Sequence, residues 1–75
     1  MQVMITTNSN NTMKLLMYDM SGKVLRKIEG NLQTGNNIIT VHGLSELPHG
    51  MYLVVVYSGN EVFRQKVVLI NSSVN

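Results

Sequence analysis

Apolar residues fall in short runs separated by clusters of Asn, Gly and Ser, and most runs alternate with a period of two. In Gln2 to Thr7, Val3 and Ile5 share a face. In Thr12 to Asp19, Met13, Leu15 and Met17 share a face, with Lys14 on the other. Such alternation predicts half-buried strands. Asn8 to Asn11 reads as a turn or short loop, because Asn tolerates left-handed backbone angles and forms Asx-turns. Asp19 to Gly22 places Asp first and Gly last, as a type I turn prefers. In Lys23 to Glu29 the apolar positions Val24, Leu25 and Ile28 also fit a turn and a half of helix. A strand is the better reading, since an isolated helix of seven residues is marginal in water.

Gly30 to Asn37, "GNLQTGNN", reads as a long polar hairpin loop. Ile38 to Gly43 is β-branched and suits a pleated sheet. Leu44 to Gly50 is a crossing loop in which Pro48 blocks helix continuation. Met51 to Tyr57 is apolar on both faces, which predicts a central strand covered on both sides or a sandwich-core strand. Gly59-Asn60 is a two-residue hairpin signal of the primed type. Glu61 to Ile70 is its partner strand, with Phe63, Val67 and Leu69 on one face and Arg64 and Lys66 on the other. Asn71 to Asn75 is a polar tail. No internal repeat has a fixed period. The sum is an all-β antiparallel β-sandwich of about six to seven strands, with one domain over residues 1–70 and the tail over 71–75.

Composition narrows the function classes. The 75 residues allow one small domain, 44% hydrophobic and 13% charged, which is too apolar and too weakly charged for intrinsic disorder. Without cysteine there is no disulfide, thiolate metal site or cysteine nucleophile. A domain of this size buries only about 60% of its unfolded surface, so it relies on its core or on neighbouring domains. The net charge of +2 is spread along the chain and aromatics are 5%; neither supports nucleic-acid binding. The longest apolar run has seven residues, against about twenty for a membrane span. Met1 is not followed by the basic and long apolar regions of a signal peptide. The chain therefore reads as cytosolic or as a piece of a longer protein.

Candidate chemistry is sparse. His42 and His49 stand seven residues apart with no carboxylate cluster beside them, fewer ligands than a metal site needs. Asp19, Glu29, Glu46 and Glu61 have little room to face each other across a cleft in so short a chain, and Asp19 is better explained as a turn former. No serine lies in a nucleophile elbow. "GNLQTGNN" lacks the lysine and following helix of a phosphate loop. The sequons at Asn10 and Asn71 carry no weight in an Asn-rich chain. No enzyme and no cofactor is expected. Met13, Met17 and Met20 suit either a Met-rich binding face or core filling, and the register of Met13 and Met17 with Leu15 favours the core. Arg64 and Lys66 have two readings. One is a solvated face that discourages edge pairing; the other is a surface for a partner.

The order of motifs says more than any one of them. "LLMYDMSGKVL" is a strand, then Tyr-Asp, then a turn ending Gly-Lys. "GNN" opens a later strand. "LPHGMYLVVV" is a Leu-Pro-x-Gly-x-Tyr unit, and "GNEVFRQKVVL" is a Gly hairpin with Lys66 seven residues on. From Val3 to Ile70 this succession resembles the type A C-terminal sorting domain of the type IX (Por) secretion system of Bacteroidetes. The resemblance implies an immunoglobulin-like sandwich at the end of a secreted protein. It implies a larger cargo that crosses the periplasm, passes the outer-membrane translocon, and reaches the cell surface or the medium. The implied partners are the translocon, shuttle and sortase proteins of that system, and in many members a surface sortase removes the domain.

Carried over by position, the family's marked residues correspond to Asp19, Gly22 and Lys23, to Gly35 and Asn36, to Pro48, Gly50 and Tyr52, and to Gly59, all mainly structural. Arg64, Lys66, Val67 and Val68 correspond to the strand that partners read. Two departures stand out. The Tyr-Pro-Asn-Pro-like segment usual ahead of the first strand is absent, and nine residues follow Lys66. A retained, uncleaved domain of a surface component of the machinery is therefore one alternative. A plain immunoglobulin-like adhesion or spacer module is another. A carbohydrate-binding module is disfavoured, because Trp is absent and Tyr18, Tyr52 and Tyr57 lie in strands. A missing leading strand would leave a sheet edge open beside "MYLVVVY", which predicts dimerisation or strand exchange of the isolated domain.

Overall fold

In the computed structural model, residues 1–70 are described; the tail over 71–75 lies outside the described residues. Six strands form two antiparallel sheets: β1 (Gln2–Thr7), β2 (Asn11–Tyr18), β3 (Val24–Leu32), β4 (Gly35–Thr40), β5 (Gly50–Ser58) and β6 (Glu61–Leu69). One sheet has the order β3-β2-β5-β6 and the other pairs β1 with β4. A single 3-10 turn, Leu44–Glu46, lies between β4 and β5. Pairing of β1 with β4, β2 with β5 and β5 with β6, with β3 added beside β2, reproduces the B–E, C–F, F–G and C–C′ contacts of an immunoglobulin-like sandwich. The all-β fold, with six strands and no α-helix among the described residues, agrees with the sequence reading.

The period-two pattern places the core. Ile5, Ile39 and Val41 come from the small sheet and its margin, and Met13, Leu15, Met17, Leu32, Tyr52, Val54 and Val56 from the large one. Leu15 and Met17 are wholly buried. Each such side chain contributes about 1.5–3 kcal/mol when taken from water, so core filling is the role of Met13 and Met17. The Ser58 hydroxyl is buried among them without a hydrogen-bond partner.

Three sequence readings need correction and one, on the covering of β5, is narrowed to one of its alternatives. Gly30 to Asn37 is not a long hairpin loop. Gly30 and Asn31 continue β3 opposite Met13 and Thr12, Gly35 to Asn37 open β4 opposite Thr7 to Ile5, and only Gln33 and Thr34 cross between the sheets. Asn37 makes the tight crossing possible. Its Oδ1 accepts from Gln33 N at 2.9 Å, and its Nδ2 donates to Gln33 O at 2.8 Å and to Ile5 O at 3.3 Å. Asn10 Oδ1 accepts from Thr34 N at 2.7 Å and ties the other crossing to it. Second, β4 ends at Thr40, so His42 lies in a connection. Its carbonyl accepts from Arg26 Nε at 3.3 Å, and Arg26 also binds the Leu25 and Gly43 carbonyls. Third, of the two readings of β5 the sandwich-core strand holds: the small sheet packs against its inner face, and among the described residues no layer covers the other. Fourth, "MYLVVVY" does not border an open edge: β5 is hydrogen-bonded to β2 on one side and β6 on the other. Among the described residues the unpaired edges belong to β1, β4, β3 and β6.

Across the seam of the sandwich β1 runs antiparallel to β6. Thr7 Oγ1 donates to Glu61 Oε1 at 2.7 Å at one end. A groove of about 330 Å³, lined by Met1 to Met4 and Gln65 to Val67, opens at the other.

Candidate functional site

The marked residues fall into turns, and each turn has its own geometry. Asp19 organises the β2–β3 turn. Its Oδ1 accepts from Ser21 N at 2.9 Å, Ser21 Oγ at 2.6 Å and Lys23 N at 2.9 Å. Gly22 N donates to Asp19 O at 3.0 Å, and Gly22 has a φ of 91°, so the Asp-first, Gly-last pattern closes through a left-handed residue. The Ser21 hydroxyl and the Lys23 and Ser21 amides hold the Asp19 carboxyl below its usual range. Lys23 is used through its backbone, and its side chain is exposed.

The Leu-Pro-x-Gly-x-Tyr unit is a tyrosine corner. Tyr52 stands near the start of β5, 4% exposed, and its hydroxyl donates to the Pro48 carbonyl at 2.7 Å. That is the corner expected where an immunoglobulin-like chain enters the strand equivalent to β5. Gly50 is the first residue of β5, opposite Leu69. Gly59 has a φ of 58° and among the described residues no non-glycine residue has a positive φ, so the β5–β6 hairpin takes the primed form with Gly in first position. Gly35 opens β4, and Asn36 Oδ1 accepts from Thr6 Oγ1 at 2.7 Å. None of these residues forms a reaction centre.

The strand register sorts them into two ends. Tyr18 is opposite both Val24 and Leu53, and Gly50 is opposite Leu69. The Asp19–Lys23 turn, the Pro48–Tyr52 corner and the close of β6 therefore gather at one end of the large sheet. Gly35, Asn36 and Gly59 lie at the other.

On the edge strand β6 the four expected recognition residues divide by face. Arg64, Lys66 and Val68 project from the outer face, opposite Val55, Leu53 and Met51. Arg64 and Lys66 are exposed and Val68 is 61% exposed. Val67 is opposite Tyr52 and packs half-buried against the core. Arg64 also lines a shallow depression of about 410 Å³ with Asp19, Gly22, Tyr18, Leu53 and Tyr57. The β2–β3 turn and the edge strand, more than forty residues apart in sequence, thus share a concavity. Desolvation and the neighbouring Tyr57 hydroxyl push the Tyr18 phenol above its ordinary value. At neutral pH the charge of this face thus comes from its Lys and Arg residues, with Glu29 and Asp19 as its acids. Sequence reasoning missed this concavity because it depends on β2 and β6 flanking β5. It also missed Asn37, whose only sequence signal is its place after Gly35 in "GNN".

Among the described residues no group of three or more His, Asp or Glu could hold a metal, and no helix is long and apolar enough to cross a membrane. A family model described as a secretion system C-terminal sorting domain matches residues 1–71. No curated protein and no solved structure matches the chain.

Proposed function

The chain belongs to the secretion system C-terminal sorting domain family, and from that membership we propose that it steers a larger cargo through the outer-membrane translocon of type IX secretion by being recognised as a folded label. The observation that carries this reading is the family match across residues 1–71. The arrangement supports it: the marked turns are structural, while β6 offers an unpaired edge with two outward cations. An exposed edge allows recognition by strand addition. The domain performs no chemistry itself; a shuttle or sortase of the machinery reads β6, and the cargo is delivered to the cell surface or the medium. Sortase removal and retention as a surface component are alternative fates of the same label. The open edges of β1, β4, β3 and β6 are where the isolated domain would self-associate.

The test is deletion of Val67 to Asn75 from the full-length protein. The expected result is accumulation in the periplasm, and normal surface delivery would overturn the reading. A spacer module predicts instead that moving the domain to an internal position leaves its role intact.

A further inference from the structure

Among the described residues, no layer covers the outer face of the large sheet. Its centre is apolar: Leu16, Leu53 and Val55 lie side by side across β2 and β5, and Val55 is only 3% exposed. Around that centre Met51, Tyr57, Val62 and Val68 are each more than 40% exposed. The register puts Lys14 opposite Tyr57, Lys27 opposite Leu16, Arg64 opposite Val55 and Lys66 opposite Leu53. Four of the six basic residues thus point from the strands of this face, with Glu29 the one acid on those strands and Asp19 in the turn at their end. The face carries about +3 and the rest of the domain about −1, by charge counting at neutral pH.

We propose that this apolar, cation-rimmed face is the docking surface for a partner protein whose matching surface is apolar at its centre and acidic at its rim. The inference rests on the sorting reading above and names the chemistry of the partner. Charge complementarity selects the occupant. A second copy of the same face would bring like charges together, which costs several kcal/mol and rejects self-pairing. An anionic membrane is disfavoured because the face offers only Tyr18 and Tyr57 as aromatic anchors for interfacial binding: Trp is absent, and Phe63, opposite Val56, turns inward. Size fits a transient encounter. Four strands about 4.8 Å apart and nine residues long at about 3.3 Å each span roughly 19 by 30 Å. That lies below the area of a standard stable interface, as suits a label that must be released.

The experiment uses the full-length protein in its own host and measures the exported fraction. Lys14→Gln with Lys66→Gln, and separately Lys27→Gln with Arg64→Gln, remove rim charge and keep the aliphatic stems. Glu46→Gln, in the connection between β4 and β5, is the control away from the face. The expected result is an export rate about tenfold lower for each pair, through slower encounter, with the control unchanged and the melting temperature unaltered. If deletion of the domain blocks export but both pairs export as the wild type does, the docking face is wrong while the sorting function stands. If deletion of the domain leaves export intact, the sorting function itself is wrong. Sedimentation of the wild type with phosphatidylglycerol vesicles, lost in the paired variants, would make the face a lipid surface and overturn the proposal.

Discussion

Tyr52→Phe isolates the corner that holds the entry to β5. The substitution leaves the ring buried and removes the hydroxyl that donates to Pro48 O at 2.7 Å. Pro48 itself is exposed, so water can satisfy its carbonyl in the variant. The cost is therefore that of one net hydrogen bond, about 1 kcal/mol. For a domain of this length, about 1 kcal/mol lowers the melting temperature by about 4–8 °C. Tyr52→Ala removes the ring as well and should cost about 3–5 kcal/mol, a large share of the roughly 4–11 kcal/mol expected for such a chain. Pro48→Ala keeps the carbonyl acceptor and loses only about 0.4–1 kcal/mol through unfolded-state entropy. Because the Tyr52 bond goes to a backbone atom, the Tyr52→Phe and Pro48→Ala effects should add within about 0.5 kcal/mol. Thermal and urea unfolding followed by far-UV circular dichroism reads all four variants. A Tyr52→Phe domain that melts with the wild type, or a strongly non-additive double variant, would refute the corner as the source of stability.

Two further outcomes follow from the turns. Gly59→Ala should destabilise by about 1–2 kcal/mol from the left-handed backbone alone. A Cβ there also runs into the Asn11 side-chain amide, so Asn11→Ala in the same chain should recover only part of the loss in urea unfolding. Asp19→Asn keeps the acceptor oxygen but removes the charge. The wild-type carboxyl is depressed by the Ser21 hydroxyl and the Lys23 and Ser21 amides. Its contribution is thus present above the ordinary carboxylate value and is lost as pH falls through the folded one. The gap in melting temperature between wild type and Asp19→Asn should close below about pH 4, and a gap constant with pH would refute that origin.

Where strands alternate in polarity the sequence was legible. β1 lies where Val3 and Ile5 place it, and β2 and β6 are displaced by a residue at most. Legibility fails where polar residues occupy strand positions. Gly30, Asn31, Gly35 and Asn36 look like loop, yet cross-strand partners and the Asn37 amide satisfy their surroundings. Such satisfaction depends on sheet pairing, which no local pattern encodes. The two-sided apolarity of β5 had a similar ambiguity. It comes from one face in the core and one face in the open, and periodicity alone cannot tell a covering layer from an uncovered docking surface. The order of motifs identified the family because each motif fixes one turn of the same fold. The proposed docking surface was only half legible: Arg64 and Lys66 were visible on one strand, but their alignment with Lys14 and Lys27 required the strand order β3-β2-β5-β6.

That dependence bears on how a label of this kind can be read. Among the described residues β6 pairs within the sheet with β5 alone, β5 is positioned by β2 and by the Tyr52 corner, and β2 is tied into the Asp19 turn. Each marked motif is therefore a step in building the platform on which β6 lies. In a free peptide spanning β6, nothing would hold Arg64 over Val55 or Lys66 over Leu53 as the sheet does. The cations would be present without the apolar surface they rim. A partner that needs both reads the folded domain rather than a linear sequence, so structural residues such as Tyr52 and proposed contact residues such as Lys66 would serve one signal by different physical routes.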